Sequence, residues 1–162
     1  SHKIQRIGIY SIDKRIGIWE FYREGELVHK FNYTTGKLLV NKNEQVKKTC
    51  YVFNDEGIPT DEVVDVNPVY LGGYELLNQF VKENLLLTYV ERENKIAVTV
   101  LITLTISSSS EIIDYKVKST LNDANNGLVI RAFERMPNYW VPAEKDGVKV
   151  TTAIEIPIII MI

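Results

Sequence analysis

From Val98 to Ile106 the chain alternates strictly. Val98, Val100, Ile102, Leu104 and Ile106 fall on one side of an extended backbone, and Thr99, Thr103 and Thr105 on the other. Successive side chains of a strand point to opposite faces, so this run of mostly β-branched residues predicts a half-buried strand. A second extended run, Ile112 to Lys118, follows across the short polar stretch Ser107 to Glu111, which predicts an antiparallel hairpin. A third run sets Val148, Val150, Thr152, Ile154 and Ile156 against Lys149, Thr151 and Glu155. It predicts a last strand, in which Pro157 belongs at an edge, a bulge or an end because it has no N–H for a ladder. Two other segments follow helical spacing. After Gly72-Gly73, residues Tyr74, Leu77, Phe80, Val81 and Leu85 share one face, with Glu75, Gln79, Lys82 and Glu83 on the polar side. Val129, Ala132, Phe133 and Met136 form a second stripe, Arg131, Glu134 and Arg135 point outward, and Pro137 stops the helix. The order helix, strand, strand, helix, strand predicts an α+β fold, an antiparallel sheet carrying two helices.

The first 53 residues are patterned differently. Ile7-Gly8-Ile9-Tyr10 is echoed by Ile16-Gly17-Ile18-Trp19, each preceded by an arginine, Arg6 and Arg15. Glu24-Gly25 and Thr35-Gly36 mark tight turns, because these residues tolerate positive φ. Trp19 and Phe21 fall on one face of a strand, Glu20 and Tyr22 on the other. Leu27 to Tyr33 reads as the next strand and Cys50 to Phe53 as the last of this section. The expectation is a meander of β-hairpins stacked by aromatic side chains. Residues 54–67 concentrate Asp55, Glu56, Asp61, Glu62 and Asp65 around Gly57 and Pro59 without the alternating ligands of an EF-hand loop, so a solvated acidic linker is expected. The chain thus divides into 1–53, a hairpin section, 54–67, a linker, and 68–162, an α+β section.

Composition narrows the chemistry. Apolar residues make up 45% and charged residues 25% of 162, which excludes a disordered or low-complexity chain. Nineteen basic against 21 acidic residues leave a net charge of −2, so the surplus of positive charge that a general nucleic-acid binder needs is missing. With one cysteine, Cys50, no internal disulfide or multi-cysteine metal site can form, and only His2 and His29 supply imidazole. There is no Gly-x-Ser-x-Gly elbow, glycine-rich phosphate loop or His-Glu-x-x-His. No catalytic residue, metal site or cofactor is therefore expected. Cys50 and His29 read as incidental rather than as a thiol pair, and the serine run as a turn. Trp19, Tyr139 and Trp140 read as core rather than as a sugar-stacking platform. No apolar run approaches the roughly 18 residues of a membrane helix. Ser1-His2 reads as the remnant of a purification tag. Ile158 to Ile162 forms an apolar end that calls for burial or pairing.

Two stretches resemble known families. Gly17, Trp19, Tyr22, Gly25 and Leu27, answered by Phe31, Tyr33, Gly36 and Leu38, are similar to the aromatic hairpin repeats of MORN and YwqK-antitoxin-like proteins over about residues 14–40. Pro68-Val69-Tyr70-Leu71-Gly72-Gly73, followed by Leu77, Phe80, Asn84-Leu85 and Tyr89, resembles the entry of the TonB-like C-terminal domain. Arg131, Met136-Pro137, Trp140-x-Pro142-Ala143, Asp146-Gly147 and Ile156-Pro157-Ile158 continue that likeness through residue 162. Val90 stands where the family commonly has proline, and four serines, 107–110, replace its Asp-Gly turn.

The second resemblance implies an antiparallel sheet with two helices behind the hairpin meander, held by Gly72, Gly73, Tyr89, Arg131, Pro137, Trp140, Pro142 and Gly147. It also implies that the last strand, Lys149, Val150, Thr151, Thr152, Ala153, Ile154, Glu155 and Ile156, offers an open edge to a partner. An unpaired strand edge presents N–H and C=O groups that an extended peptide can take up by β-augmentation. The expected partner is a protein, either an outer-membrane receptor peptide or a second copy of the chain. The expected location is the periplasm or cell envelope. The alternative expectation is an envelope adaptor whose hairpin repeats contact proteins without energy transduction.

Overall fold

The computed structural model of this protein describes residues 4–42, 49–54, 56–85, 97–118 and 123–161. Tyr89, together with Ser1, His2, Asp55, Val90 and Ile162, lies outside them. The fold is α+β. Its strands are β1 (Ile4–Ser11), β2 (Lys14–Arg23), β3 (Glu26–Asn32), β4 (Lys37–Asn41), β5 (Thr49–Phe53), β6 (Pro59–Val63) and β7 (Val69–Tyr70). After helix α1 (Gly73–Asn84) come β8 (Ala97–Ile106), β9 (Ile112–Lys118) and helix α2 (Asp123–Glu134). The chain ends in β10 (Trp140–Val141), β11 (Ala143–Lys145), β12 (Val148–Val150) and β13 (Thr152–Met161).

The hairpin meander forms as expected. Strands β1-β2-β3-β4 make a four-stranded antiparallel front sheet in chain order. The turn between β2 and β3 has φ 52° at Glu24 and 86° at Gly25, the two positive values of a type I′ hairpin. The Asn32 side chain accepts hydrogen bonds from the backbone N–H groups of Thr34 and Thr35 and shapes the next turn. The cross-strand register puts Trp19 beside Phe31 and Phe21 beside His29. All four are buried and face inward. Ile7, Ile9, Ile16 and Ile18 are exposed on the outer face, and there Glu20 pairs with Lys30 at 2.8 Å.

The rear sheet has five strands in the order β6-β5-β13-β8-β9. The alternation along β8 is realised, with Val100, Ile102, Leu104 and Ile106 wholly buried. Ile156 of β13 pairs with Ile102, and Ile158 with Val100. The helices cover this face with Leu76, Leu77 and Val81 from α1 and Val129, Ala132 and Phe133 from α2. The α1 stripe differs from expectation at its start. Leu76 is 2% exposed and Tyr74 is 42% exposed, because the helix begins from two left-handed glycines that turn residue 76 rather than 74 to the sheet.

Three segments depart from the sequence reading. Cys50–Phe53, expected to close the meander, pairs instead with β13 and β6 in the rear sheet. Part of the acidic stretch expected as a linker is β6, whose Asp61 points to solvent and whose Glu62 forms an ion pair with Lys145. Charges on a strand at the rim of a sheet discourage further pairing, and they also hide the strand from a hydrophobic pattern. The strand expected over Val148 to Ile156 is two strands. Val150 pairs with Ala143, whereas Thr152 pairs with Ile106 and Val52, so the chain changes sheets at Thr151.

One apolar cluster runs through both sections. Trp19, Phe21 and Phe31 of the front sheet join Tyr70, Leu77, Ile102, Phe133, Tyr139 and Trp140 behind it. Tyr139 stands edge-on to Phe21 at 5.5 Å and to Tyr70 at 5.8 Å. Polar bridges follow the same seam. Lys149 Nζ donates to the Gly36 carbonyl at 2.9 Å, and Arg23 pairs with Glu75 of α1.

Candidate functional site

A cavity of about 1080 Å³ opens along the seam between the sheets. Leu38 and Asn41 of β4 form one wall, Cys50 and Tyr51 of β5 a second, Tyr74 and Asn78 of α1 a third, and Ala153, Ile154 and Glu155 of β13 the floor. Its charged lining is mixed, with Arg23, Lys37 and Lys42 against Asp65, Glu75, Glu144 and Glu155, so no single sign selects a ligand. At about 1000 Å³ a pocket has room for a short extended peptide or a sizeable small molecule.

His29 is held in this site by its neighbouring strand and by the start of α1. Its strand neighbour Asn41 offers Oδ1 at 3.1 Å from Nε2. On the other side Nδ1 accepts the Gly72 N–H at 3.0 Å. Gly72 has φ 94°, and a β-carbon there would run into Leu76, so glycine is required for α1 to start where its first free N–H meets the imidazole. Since Nδ1 accepts, the proton of the neutral ring sits on Nε2 and points at Asn41. Burial lowers the pKa from 6.5 to about 4, the Arg23 charge adds to this and the Asn41 bond opposes it. His29 is therefore a neutral bridge between the front sheet and the start of α1, with both nitrogens occupied. It has no nitrogen left to take a proton from Cys50, which is buried and not in a disulfide. Burial raises the pKa of the Tyr74 hydroxyl, and the neighbouring Cys50 raises it further.

The residues expected to form the partner edge are divided among three environments. Lys149 and Val150 lie in β12, paired with Glu144 and Ala143, and Lys149 is further engaged with Gly36. Thr151 leaves the ladder, and its carbonyl accepts the Phe53 N–H at 3.0 Å. Thr152 and Ala153 sit between β8 and β5, paired on both sides. Only Ile154, Glu155 and Ile156, continuing to Met161, pair with β8 on one side and, among the described residues, with no strand on the other. Pro157, which has no N–H to donate, stands opposite Leu101 of β8. Ala153, Ile154 and Glu155 also border the cavity, so the seam and the half-paired strand are one continuous site.

The motif residues other than Tyr89, which is outside the described residues, fall at element ends and in the core or on the helix surface. Gly72 and Gly73 start α1, and Gly147 holds the β11–β12 turn at φ 75°. Pro137 follows α2, and its carbonyl accepts the Tyr70 hydroxyl at 3.1 Å. Trp140 is buried against Tyr70 at 5.1 Å, Pro142 is buried beside it, and Arg131 is on the outer side of α2. Trp19, Tyr139 and Trp140 are each 4% exposed and pack as core. The serine run is a turn, closed by Ser107 N–H donating to the Glu111 carbonyl at 2.8 Å. Two residues that organise the seam were read from the sequence in lesser roles, His29 as incidental and Tyr139 as core. His29 shows no motif, and Tyr139 matters through Arg6 and Arg15, whose repeated position before Ile-Gly-Ile was the available signal.

Among the described residues no group of three or more His, Cys, Asp or Glu side chains is placed to hold a metal ion. No helix among them is long and apolar enough to cross a membrane. Comparison with protein-family models, with curated proteins and with solved structures gives no match.

Proposed function

We propose that this chain is a non-enzymatic protein-binding module of the cell envelope, similar in role to the TonB-like C-terminal domain, which takes up an extended segment of a partner beside β13. The observation that carries this reading is the stretch from Ile154 to Met161, which among the described residues pairs with β8 alone, bordered at its start by the seam cavity. A strand laid there satisfies backbone groups on both chains, and pockets beside it accept alternate side chains. The partner in this reading is a periplasmic segment of an outer-membrane transporter. Calorimetric titration of the chain with a synthetic peptide of that kind, followed by amide hydrogen exchange, tests it. The expected result is saturable binding with slowed exchange at 154–161, against no binding of a scrambled peptide. Equal binding of the scrambled peptide, or protection confined to the front sheet, overturns it.

The outer face of the front sheet favours a second reading, an adaptor that contacts proteins through its hairpin repeats without energy transduction. Ile7 is 56%, Ile9 64% and Ile18 47% exposed there. Ile9→Glu separates the two readings, since it abolishes partner capture by the adaptor and leaves capture at β13 unchanged.

A further inference from the structure

The sequence Arg-Ile-Gly-Ile-aromatic occurs twice, at Arg6 to Tyr10 and at Arg15 to Trp19. The register of β1 and β2 sets Arg6 opposite the buried Phe21 and Arg15 opposite Tyr10, while the isoleucines between take the outer face. Both arginines therefore reach inward, and both end on the same ring. Arg6 Cζ lies 5.6 Å from the centre of Tyr139, and Arg6 Nη1 donates to the Tyr139 hydroxyl at 2.7 Å. Arg15 Cζ lies 4.4 Å from the centre of that ring, and Arg15 Nη1 donates to the Tyr33 hydroxyl at 2.9 Å and to the Asn138 carbonyl at 2.8 Å. Phe80, 5.5 Å from Arg6, and Tyr33, 5.2 Å from Arg15, flank the pair.

Two positive charges on one ring repel each other, and the ring quadrupole compensates only in part. Among the described residues neither guanidinium has a carboxylate partner; the ion pairs engage Arg23, Lys30, Lys116, Lys118 and Lys145 instead. Each guanidinium carries five donors, and the hydrogen bonds described use only Nη1 of each. The remaining forks are accessible, since Arg6 is exposed and Arg15 half-buried. Such a planar fork matches a carboxylate or phosphate in two parallel hydrogen bonds.

We propose that Arg6 and Arg15 together form a binding site for a carboxylate- or phosphate-bearing ligand, seated against the Tyr139 ring. The site is independent of strand capture at β13. It is tested by following the arginine side-chain N–H resonances and the thermal midpoint of the full chain. Succinate and inorganic phosphate are titrated separately, with ionic strength held constant by chloride. The expected result is saturation at ~1 mM for at least one of the two anions, the affinity of a weak two-arginine contact. Succinate alone assigns a carboxylate ligand, phosphate alone a phosphate ligand, and both a general oxyanion site. Arg6→Gln and Arg15→Gln each weaken binding about tenfold or more, and Arg6→Lys retains part of it. If Arg15→Gln does not fold, the exposed Arg6 position carries the test alone. Absence of saturation with both anions, or the same titration in Arg6→Gln as in the parent chain, overturns the proposal.

Discussion

In the front sheet the spatial order β1-β2-β3-β4 is the order of the chain, and each pairing is closed by a short turn. In the rear sheet β13 lies between β5 and β8, so Thr152 meets Val52, 100 positions earlier, and Ile106, 46 positions earlier. The front sheet has one buried face and one face of exposed isoleucines, whereas the helices cover a rear-sheet face on which four residues of β8 are fully buried. The difference teaches where specificity resides. Local turn chemistry fixes the front sheet strand by strand, but its aromatic face is complete only when Tyr139 and His29 dock it on the rear. The rear sheet needs long-range pairing, which runs through its closing strand β13.

The largest expected effect breaks the junction from the rear. Trp140→Ala removes a buried indole packed edge-on against Tyr70 and should cost about 3 kcal/mol or more, measured by urea denaturation. A loss below about 1 kcal/mol would place Trp140 outside the shared core. Next is the pH dependence of the His29 bridge from the front sheet to the start of α1. Folding lowers the pKa of His29 from 6.5 to about 4, so between these values the unfolded chain binds a proton that the native chain does not. Stability is full above pH 6.5, falls by about 1.4 kcal/mol per unit as the pH drops through the window, and levels off near pH 4 after a loss of about 3 kcal/mol. Lys30 and Lys145 hold Glu20 and Glu62 below the usual carboxylate range, so these groups titrate beneath most of that window. His29→Gln should flatten the slope between pH 6.5 and 4.5, and an unchanged slope would remove His29 from the account.

A smaller pair of effects sharpens the front sheet alone. Gly8 and Gly17 occupy equivalent places in the sequence echo but serve different needs. A β-carbon on Gly8 would enter the Trp19 indole, while Gly17 has open space around it and φ 62°. Gly8→Ala should cost about 2 kcal/mol through displaced packing, and Gly17→Ala about 1 kcal/mol through backbone strain. Equal costs would show that Trp19 does not rest on Gly8.

Much of this fold was legible because its determinants are local. The alternation of β8, the stripe of α2 and the turns at Glu24-Gly25 and Thr35-Gly36 each act within a few residues. What escaped depended on distant partners. Nothing near Asp61 and Glu62 shows that β5 waits beside them, and nothing near Thr151 shows that the chain passes there from Ala143 to Val52 and Ile106. The eight residues expected as one edge strand fall instead in β12, in the crossing at Thr151 and in β13, for the same reason. His29 was read as incidental because the role of a buried, doubly bonded imidazole is defined by Gly72, 43 residues away.

The account depends most on the two sheets folding as one unit through their common core. Each sheet section carries one of the two tryptophans, Trp19 in front and Trp140 behind. Urea unfolding of Trp19→Phe and Trp140→Phe, each followed by its remaining tryptophan and by far-ultraviolet circular dichroism, reads the sections separately. A shared core predicts that in each variant the fluorescence and dichroism transitions coincide. Separated transitions, with one tryptophan exposed while strand signal persists, would contradict it.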